Sequence, residues 1–218
     1  MSKIPRAARA DGEVTRTRIL EAAGALFGTA GFAETTSKAI AALAEVDLAS
    51  INYHFGGRDG LYQAVLVEAH RRLLDVTALQ QIAESDLPVA GKLRSLLEQL
   101  VPKSTDGADS WHLTVLAAEI LAPSSHLQVL MQSEVPIKVS LAMTIVAEIT
   151  GIPMGAPALL RCLLSVVAPC LMLLIGRRGI PGPIQEISKM PREEIVDHLY
   201  HFALAGLDAA GRRYASGK

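Results

Sequence analysis

Aromatic side chains are scarce, with four Phe, four Tyr and one Trp in 218 residues. Runs of β-branched residues are short while Ala and Leu abound, so the intrinsic preference is for helix and a β-sandwich is excluded. Cysteine is almost missing: Cys162 and Cys170 are too few for a disulfide framework. On one helix they would stand about 12 Å apart, beyond bonding reach, and a reducing, cytoplasmic setting is expected. Neither sign of charge prevails, since 21 Lys+Arg stand against 22 Asp+Glu. A uniformly basic, histone-like protein is excluded, but a local basic surface is not.

No positively charged start leads into an apolar stretch, so no secretory signal is expected. The one long hydrophobic run, Ala158 to Gly176, is interrupted by Arg161, and the 15 residues that remain fall short of the roughly 20 needed to span a bilayer. It reads as a buried helix and no membrane partner is expected, a membrane-associated adaptor being the rival. Glycine-rich phosphate loops, nucleophile elbows, zinc-type Cys pairs and internal repeats are all missing. Neither catalysis, a cofactor nor a metal is therefore expected. His198 and His201 share a helical face and could bind a metal, but no acidic or Cys ligand of recognised spacing joins them; a core or interface role is the alternative.

What is present is helical periodicity. The basic side chains Lys3, Arg6, Arg9, Arg16 and Arg18 crowd the start, against Asp11 and Glu13. Residues 1–13 read as a mobile basic arm. Ile19, Ala22, Ala23, Leu26 and Phe27 then mark a first helix, with Thr15 as its N-cap and Gly31 as its stop. Thr36-Ser37 opens a short second helix ending near Glu45. Asp47 caps a third, Leu48 to His54, which Gly56-Gly57 ends before a long helix from Arg58 or Asp59 to about Ala83. Breakers follow at Leu87-Pro88, Asp106-Gly107, Ala122 to Ser125, Gly151 to Pro153 and Gly179 to Pro183.

Two short helices joined by a tight turn and buttressed by a longer one form a helix-turn-helix, whose second short helix enters the major groove. With Leu48, Ile51 and Phe55 turned to the core, Ala49 and Tyr53 point away, Ser50 lies near them and Asn52 flanks them. Small residues allow close approach to base edges, and Ser, Asn and Tyr can hydrogen-bond to bases or phosphates.

Thr15 to Ala23, Leu26-Phe27, Gly31-Phe32, Thr35-Thr36, Ile40-Ala41, Tyr53-His54-Phe55, Arg58-Asp59 and Leu61 together resemble the TetR/AcrR transcriptional repressors of bacteria. The likeness covers residues 14–66. The second half, ending in His201 to Leu207, resembles the CecR/YbiH-type subgroup. The resemblance implies an all-α protein: a three-helix DNA-binding domain at residues 14–60, then a helical ligand-binding and dimerisation domain at 61–218. It further implies that Thr36 caps helix two and touches a phosphate, that Lys38 contacts DNA, and that Ala49, Ser50, Asn52 and Tyr53 lie on the recognition helix. His54 either contacts the DNA backbone or locks the helix end. Arg58 and Arg16 are placed near phosphates, although Lys38 and Arg58 could also be solvated charges.

The sequence departs from the family at three points. Glu45 replaces the usual Gly of the turn, so another turn geometry is expected. Asp47 replaces Ser or Thr, as a plain cap or as an acceptor from a cytosine amino group. Gly56-Gly57 occupies a loop that often supplies a Lys.

Trp111, His112, Leu116, Met131 and Met143 are candidates to line an apolar effector pocket, or else are core. Residues 158–175 and 192–207 are expected to pair with their copies in a homodimer, as a four-helix bundle. The expected function is a ligand-responsive dimeric repressor that binds a palindromic double-stranded DNA operator and is released by a small apolar effector. The rival is an all-helical small-molecule-binding protein or enzyme with a vestigial helix-turn-helix.

Overall fold

The computed structural model describes residues 6–105, 110–133, 135–176 and 182–217. All regular structure among these residues is helical. The elements are α1 (Arg6–Glu34), α2 (Ser37–Leu43), α3 (Leu48–Phe55), α4 (Arg58–Leu73), α5 (Val76–Glu84) and α6 (Val89–Thr105). They are followed by α7 (Trp111–Leu121), α8 (Leu127–Gln132), α9 (Val135–Thr150), α10 (Pro157–Gly176), α11 (Pro183–Ile187) and α12 (Arg192–Ala215).

The helices form two compact units. One comprises the chain up to His70 with Trp111–Leu130; the other comprises Arg71–Ser110 with the chain from Met131 onward. The first unit extends past residue 60: the ten residues after it, and a later stretch, cluster with the helix-turn-helix. The breaks expected at Leu87-Pro88, Ala122 to Ser125 and Gly151 to Pro153 separate helices. Those at Asp106-Gly107 and Gly179 to Pro181 lie outside the described residues.

The first unit is built on α1, whose Ile19, Ala23 and Phe27, at i, i+4 and i+8, are almost fully buried with Ile40, Ile51, Leu61 and Val65. Burying each of the larger of these contributes roughly 1.5–3 kcal/mol. Thr15 is not the N-cap of this helix. Its hydroxyl donates to the Asp11 carbonyl at 2.9 Å inside the helix, because the Ala-rich segment before it propagates helix back to Arg6. The expected arm is helical from Arg6, and residues 1–5 lie outside the described residues. At Gly31 the backbone leaves the helix with φ 80°, the stop read from the sequence. Leu48 is 52% exposed, not inward-facing. A helical side chain leans towards the N-terminus, which at the first position carries it past the packed face.

The long helix expected from Arg58 to Ala83 is two helices. Asp75 caps α5 by accepting from the Ala78 amide at 3.1 Å, and that hydrogen bond is the main cause holding its carboxyl below the ordinary range. An Asp that can cap competes with a continuous helix and here ends it.

The second unit packs α5, α6, α9, α10 and α12 around Leu79, Leu93, Leu97, Val146, Leu159, Val166 and Leu207. α10 is long and apolar enough to cross a membrane by length and composition. Leu159, Cys162, Leu163, Val166, Cys170 and Leu173 of this helix are in the core of the unit. Burial pushes the Cys170 thiol up to about 12, so it remains an unreactive thiol. Both cysteines are free.

α12 crosses the end of α9 so closely that a Cβ on Gly211 would stand 2.4 Å from the Thr150 carbonyl oxygen. Backbone meets backbone there and cannot rotate away. Gly211→Ala is expected to destabilise the protein by about 1–3 kcal/mol. Gly12→Ala, with no atom within 4 Å of its Cβ, should leave the urea midpoint unchanged or raise it slightly.

Candidate nucleic-acid interface

The short helices are defined by their caps. Thr36 opens α2 by accepting from the Ala39 amide at 3.1 Å. Asp47 opens α3 by accepting from both the amide and the hydroxyl of Ser50, each at 2.7 Å. The hydroxyl bond first, then the amide bond, hold the Asp47 carboxyl below its ordinary value. Asp47 thus caps α3 through Oδ1. Ser50, its hydroxyl proton committed, has only lone pairs to offer. α3 ends at Gly56, left-handed with φ 72°, whose amide donates to the Asn52 carbonyl.

The turn between α2 and α3 does not adopt the other geometry expected from Glu45. Val46 donates to the Ala41 carbonyl at 3.0 Å and Glu45 to that of Ala42 at 3.2 Å, the paired bonds of a Schellman stop. Glu45 therefore sits at φ 51°, the only left-handed non-glycine among the described residues. Arg18 compensates: its guanidinium donates to the Ala44 carbonyl at 2.6 Å and to the Glu45 carboxylate at 3.1 Å.

The first turn of α4 fastens the other end of α3. A Cβ on Gly60 would stand 2.0 Å from the Phe55 carbonyl oxygen, so only glycine permits this approach. Arg58 donates to the Thr35 carbonyl at 3.0 Å, and its guanidinium lies 4.3 Å from the Phe32 ring centroid. Tyr62 donates to Glu119 Oε2 at 2.9 Å. The other Glu119 oxygen accepts from the Ser124 amide and hydroxyl at 2.7 Å. His126 Nε2 lies 3.2 Å from the Asp59 carboxylate.

Thus held, α3 buries Ile51 and exposes Ala49, Asn52 and Tyr53, the last 82% exposed. Ser50 and His54 are half-buried, and the His54 ring stands edge-on to Tyr53 at 4.9 Å. Lys38 is exposed on the first turn of α2. Arg16 is half-buried with its guanidinium 5.0 Å from the Phe55 ring centroid. Residues Thr36 to Tyr53 named from the sequence therefore share the two short helices. Arg16 and Arg58 flank these helices, with their guanidinium groups packed on rings.

The five effector-pocket candidates fall in both units. Trp111, His112 and Leu116 belong to the first unit, Met131 and Met143 to the second. Trp111 donates its indole N–H to Glu21 at 2.7 Å and lies against Gly24, where a Cβ would fall 2.3 Å from the ring. His112 stands edge-on to that indole. Leu116 and Met143 are buried, while Met131 is 51% exposed. Among the described residues no group of three or more His, Cys, Asp and Glu could hold a metal. His201 Nδ1 lies 2.9 Å from the Asp197 carbonyl, and His198 stacks on Phe202.

Residues 19–65 match the family described as "Bacterial regulatory proteins, tetR family". Residues 78–209, more than half the chain, match the C-terminal domain of the "HTH-type transcriptional dual regulator CecR". The chain belongs to the TetR family of transcriptional regulators. It is 31% identical over 85 residues to the HTH-type transcriptional regulator BetI of Burkholderia thailandensis, covering 39% of this chain and 43% of that protein. It is 36% identical over 95 residues to the probable HTH-type transcriptional regulator ArpR of Pseudomonas putida, covering 44% and 45%. The matched stretches span less than half of either relative. Its fold is shared with the fatty acid degradation regulator FadR from Bacillus halodurans at TM-score 0.67 and 14% identity, covering 87% of this chain and 98% of the other. It is likewise shared with a TetR-family regulator from Mesorhizobium loti at TM-score 0.60 and 18% identity, covering 95% and 97%.

In this TetR-family regulator, the residues missed from sequence are those that hold α3 from outside: Arg18, Gly60, Tyr62 and Glu119. A lone acid within the apolar α7 was the available signal for Glu119. Since a left-handed Glu carries strain that Gly does not, Glu45→Gly is expected to raise stability by about 1 kcal/mol in urea unfolding. Arg18→Ala should lower stability when Glu45 is present and do so less in the Glu45→Gly background, a non-additivity that a double-mutant cycle measures.

Proposed function

We propose that the protein is a cytoplasmic, homodimeric repressor that binds an operator of two symmetric half-sites and is released when a small apolar effector occupies its second unit. The observation that carries this reading is α3: rigidly capped at both ends, buried at Ile51, and offering Ala49, Asn52 and Tyr53 to solvent. Small residues beside an exposed amide and phenol suit base edges and phosphates in the major groove. Thr36 and Lys38 are the backbone contacts of α2, with Arg16, His54 and Arg58 at the margin. Arg58 acts there mainly through its hold on Thr35. No catalytic role is assigned, and α10 serves as a core helix rather than a membrane span.

Dimerisation is supported by the outer faces of α10 and α12. Leu160, Leu164 and Phe202 are 54%, 64% and 74% exposed. Phe202 lines a cleft of about 820 Å³ between the two helices, shaped by the small residues Ser165, Ala203, Gly206 and Ala209. Large side chains next to a groove of small ones form a self-complementary face, which a twofold axis satisfies. Two half-sites also demand two recognition helices.

The operator is obtained by selecting duplexes from a random library with the purified protein. On the selected duplex, Tyr53→Ala is expected to weaken binding. Lys38→Ala should weaken it about equally on all sequences and lower the salt slope by about one unit. Substituting Ser50 or Asn52 should change the preferred sequence; an unchanged preference would remove direct readout by those side chains. Phe202→Asp should give a monomer by light scattering at tens of micromolar and lose operator binding with it. A Phe202→Asp protein that stayed dimeric would move the interface elsewhere.

A further inference from the structure

A second cleft, of about 600 Å³, opens at the other end of the α10–α12 pair. It has three walls. Pro169, Met172 and Leu173 of α10 form one, Ile184 and Ile187 of α11 the second, and Glu194, Ile195 and His198 of α12 the third, with Met190 at the corner. The walls are fixed from behind. A Cβ on Gly176 would lie 2.8 Å from Ile184, so α11 is seated directly on α10, and Leu173 and Ile195 are both 5% exposed at the base. Met172, Ile187 and Met190 are 51%, 38% and 48% exposed around the opening. Unbranched methionines at a rim adapt to ligand shape.

The polar groups of this cleft lie on one side. The Glu194 carboxylate has no hydrogen bond or ion pair among the described residues, whereas that of the neighbouring Glu186 is paired with Lys189 at 2.8 Å. One turn on from Glu194, the His198 ring is stacked on Phe202. An apolar trough with a single available carboxylate is complementary to an apolar chain with a cationic end. Its volume is that of a drug-sized molecule, and it is too small to supply the roughly 1,000 Å² that a stable protein partner buries.

We propose that the cleft between α10, α11 and α12 is a binding site for a cationic amphiphile, its chain against Met172, Leu173, Ile187 and Met190 and its charged head at Glu194. The site places the effector-binding role at a location that none of the five sequence candidates occupies and replaces a wholly apolar effector by one with a cationic head; in its regulatory role it rests on the reading above.

Binding is tested without DNA, so that its failure is separable from failure of that reading. The full-length protein carries ¹³C-methyl methionine and is titrated with decyltrimethylammonium below its micelle concentration, with decanol and decyl sulfate as neutral and anionic probes of equal chain length. Met131, Met143 and Met154 are internal controls, since none lines the cleft. The expected result is a saturable shift of the Met172 and Met190 methyl signals, strongest with the cationic probe. Glu194→Gln, a surface change that leaves the fold intact, should weaken the cationic probe about fivefold and the alcohol hardly at all. Ile187→Trp should abolish the shifts of both. Signals that do not move, that move alike at all five methionines, or that respond equally to all three head groups overturn the proposal. Shifts of Met172 and Met190 that follow protein concentration without any probe also overturn it, because the cleft would then be covered by a second copy. A further titration on the selected duplex reads whether the occupied cleft lowers DNA affinity; unchanged affinity with intact probe binding would leave the site and remove its effector role.

Discussion

A carboxylate at 2% exposure is the constraint on which the DNA-binding half depends. Left without partners, buried Glu119 would cost several kcal/mol. It is satisfied by three donors, two from Ser124 and one from Tyr62. Burial first, and then the hydrogen bond to the adjacent carboxylate, push the Tyr62 phenol well above its ordinary value, so the hydroxyl remains a donor. That one bond ties the first turn of α4 to α7. The same turn holds Thr35 through Arg58 and meets the end of α3 at Gly60. The polar network around Glu119 thus reaches α3 through the start of α4, beside the helix's own buried Ile51.

The two ends of the helix-turn-helix solve the same backbone problem differently. Left-handed residues are needed both where α2 stops and where α3 stops. At Gly56 the problem vanishes because there is no Cβ. At Glu45 an L-residue takes the strained conformation and a long-range clamp from Arg18 holds it. The strain is tolerable because the surrounding hydrogen bonds determine the turn more than the residue does.

In the second unit, one pair of helices contributes both to the core and to two surface clefts. The inner stripes of α10 and α12 lie in the apolar core with Cys162, Cys170 and Leu207. The outer stripes leave one cleft among small residues and another among methionines and isoleucines. Small side chains permit close approach of another helix, whereas flexible ones conform to smaller molecules. The difference between the two clefts follows from composition at positions a few turns apart.

Caps and stops of the short helices, and the face of α3 apart from Leu48, were legible in the sequence because they are local. Thr36 and Asp47 act on amides three residues ahead, Gly31 and Gly56 on their own φ, and Ile51 by the period of the helix. The family likeness rests on the same short-range spacing. Local signals also misled: Thr15 could have capped a helix, but alanines upstream extended it, and the capping strength of Asp75 broke a helix that periodicity made continuous. What only the tertiary structure decided is non-local. Arg18 meets Glu45 across 27 residues, Tyr62 meets Glu119 across 57, and Trp111 meets Glu21 across 90. No periodicity encodes such pairs, since they arise when separate helices pack. For the same reason Trp111, Leu116 and Met143 were recognisable as apolar from sequence, whereas the burial of Leu116 and Met143 was decided by which helices pack around them.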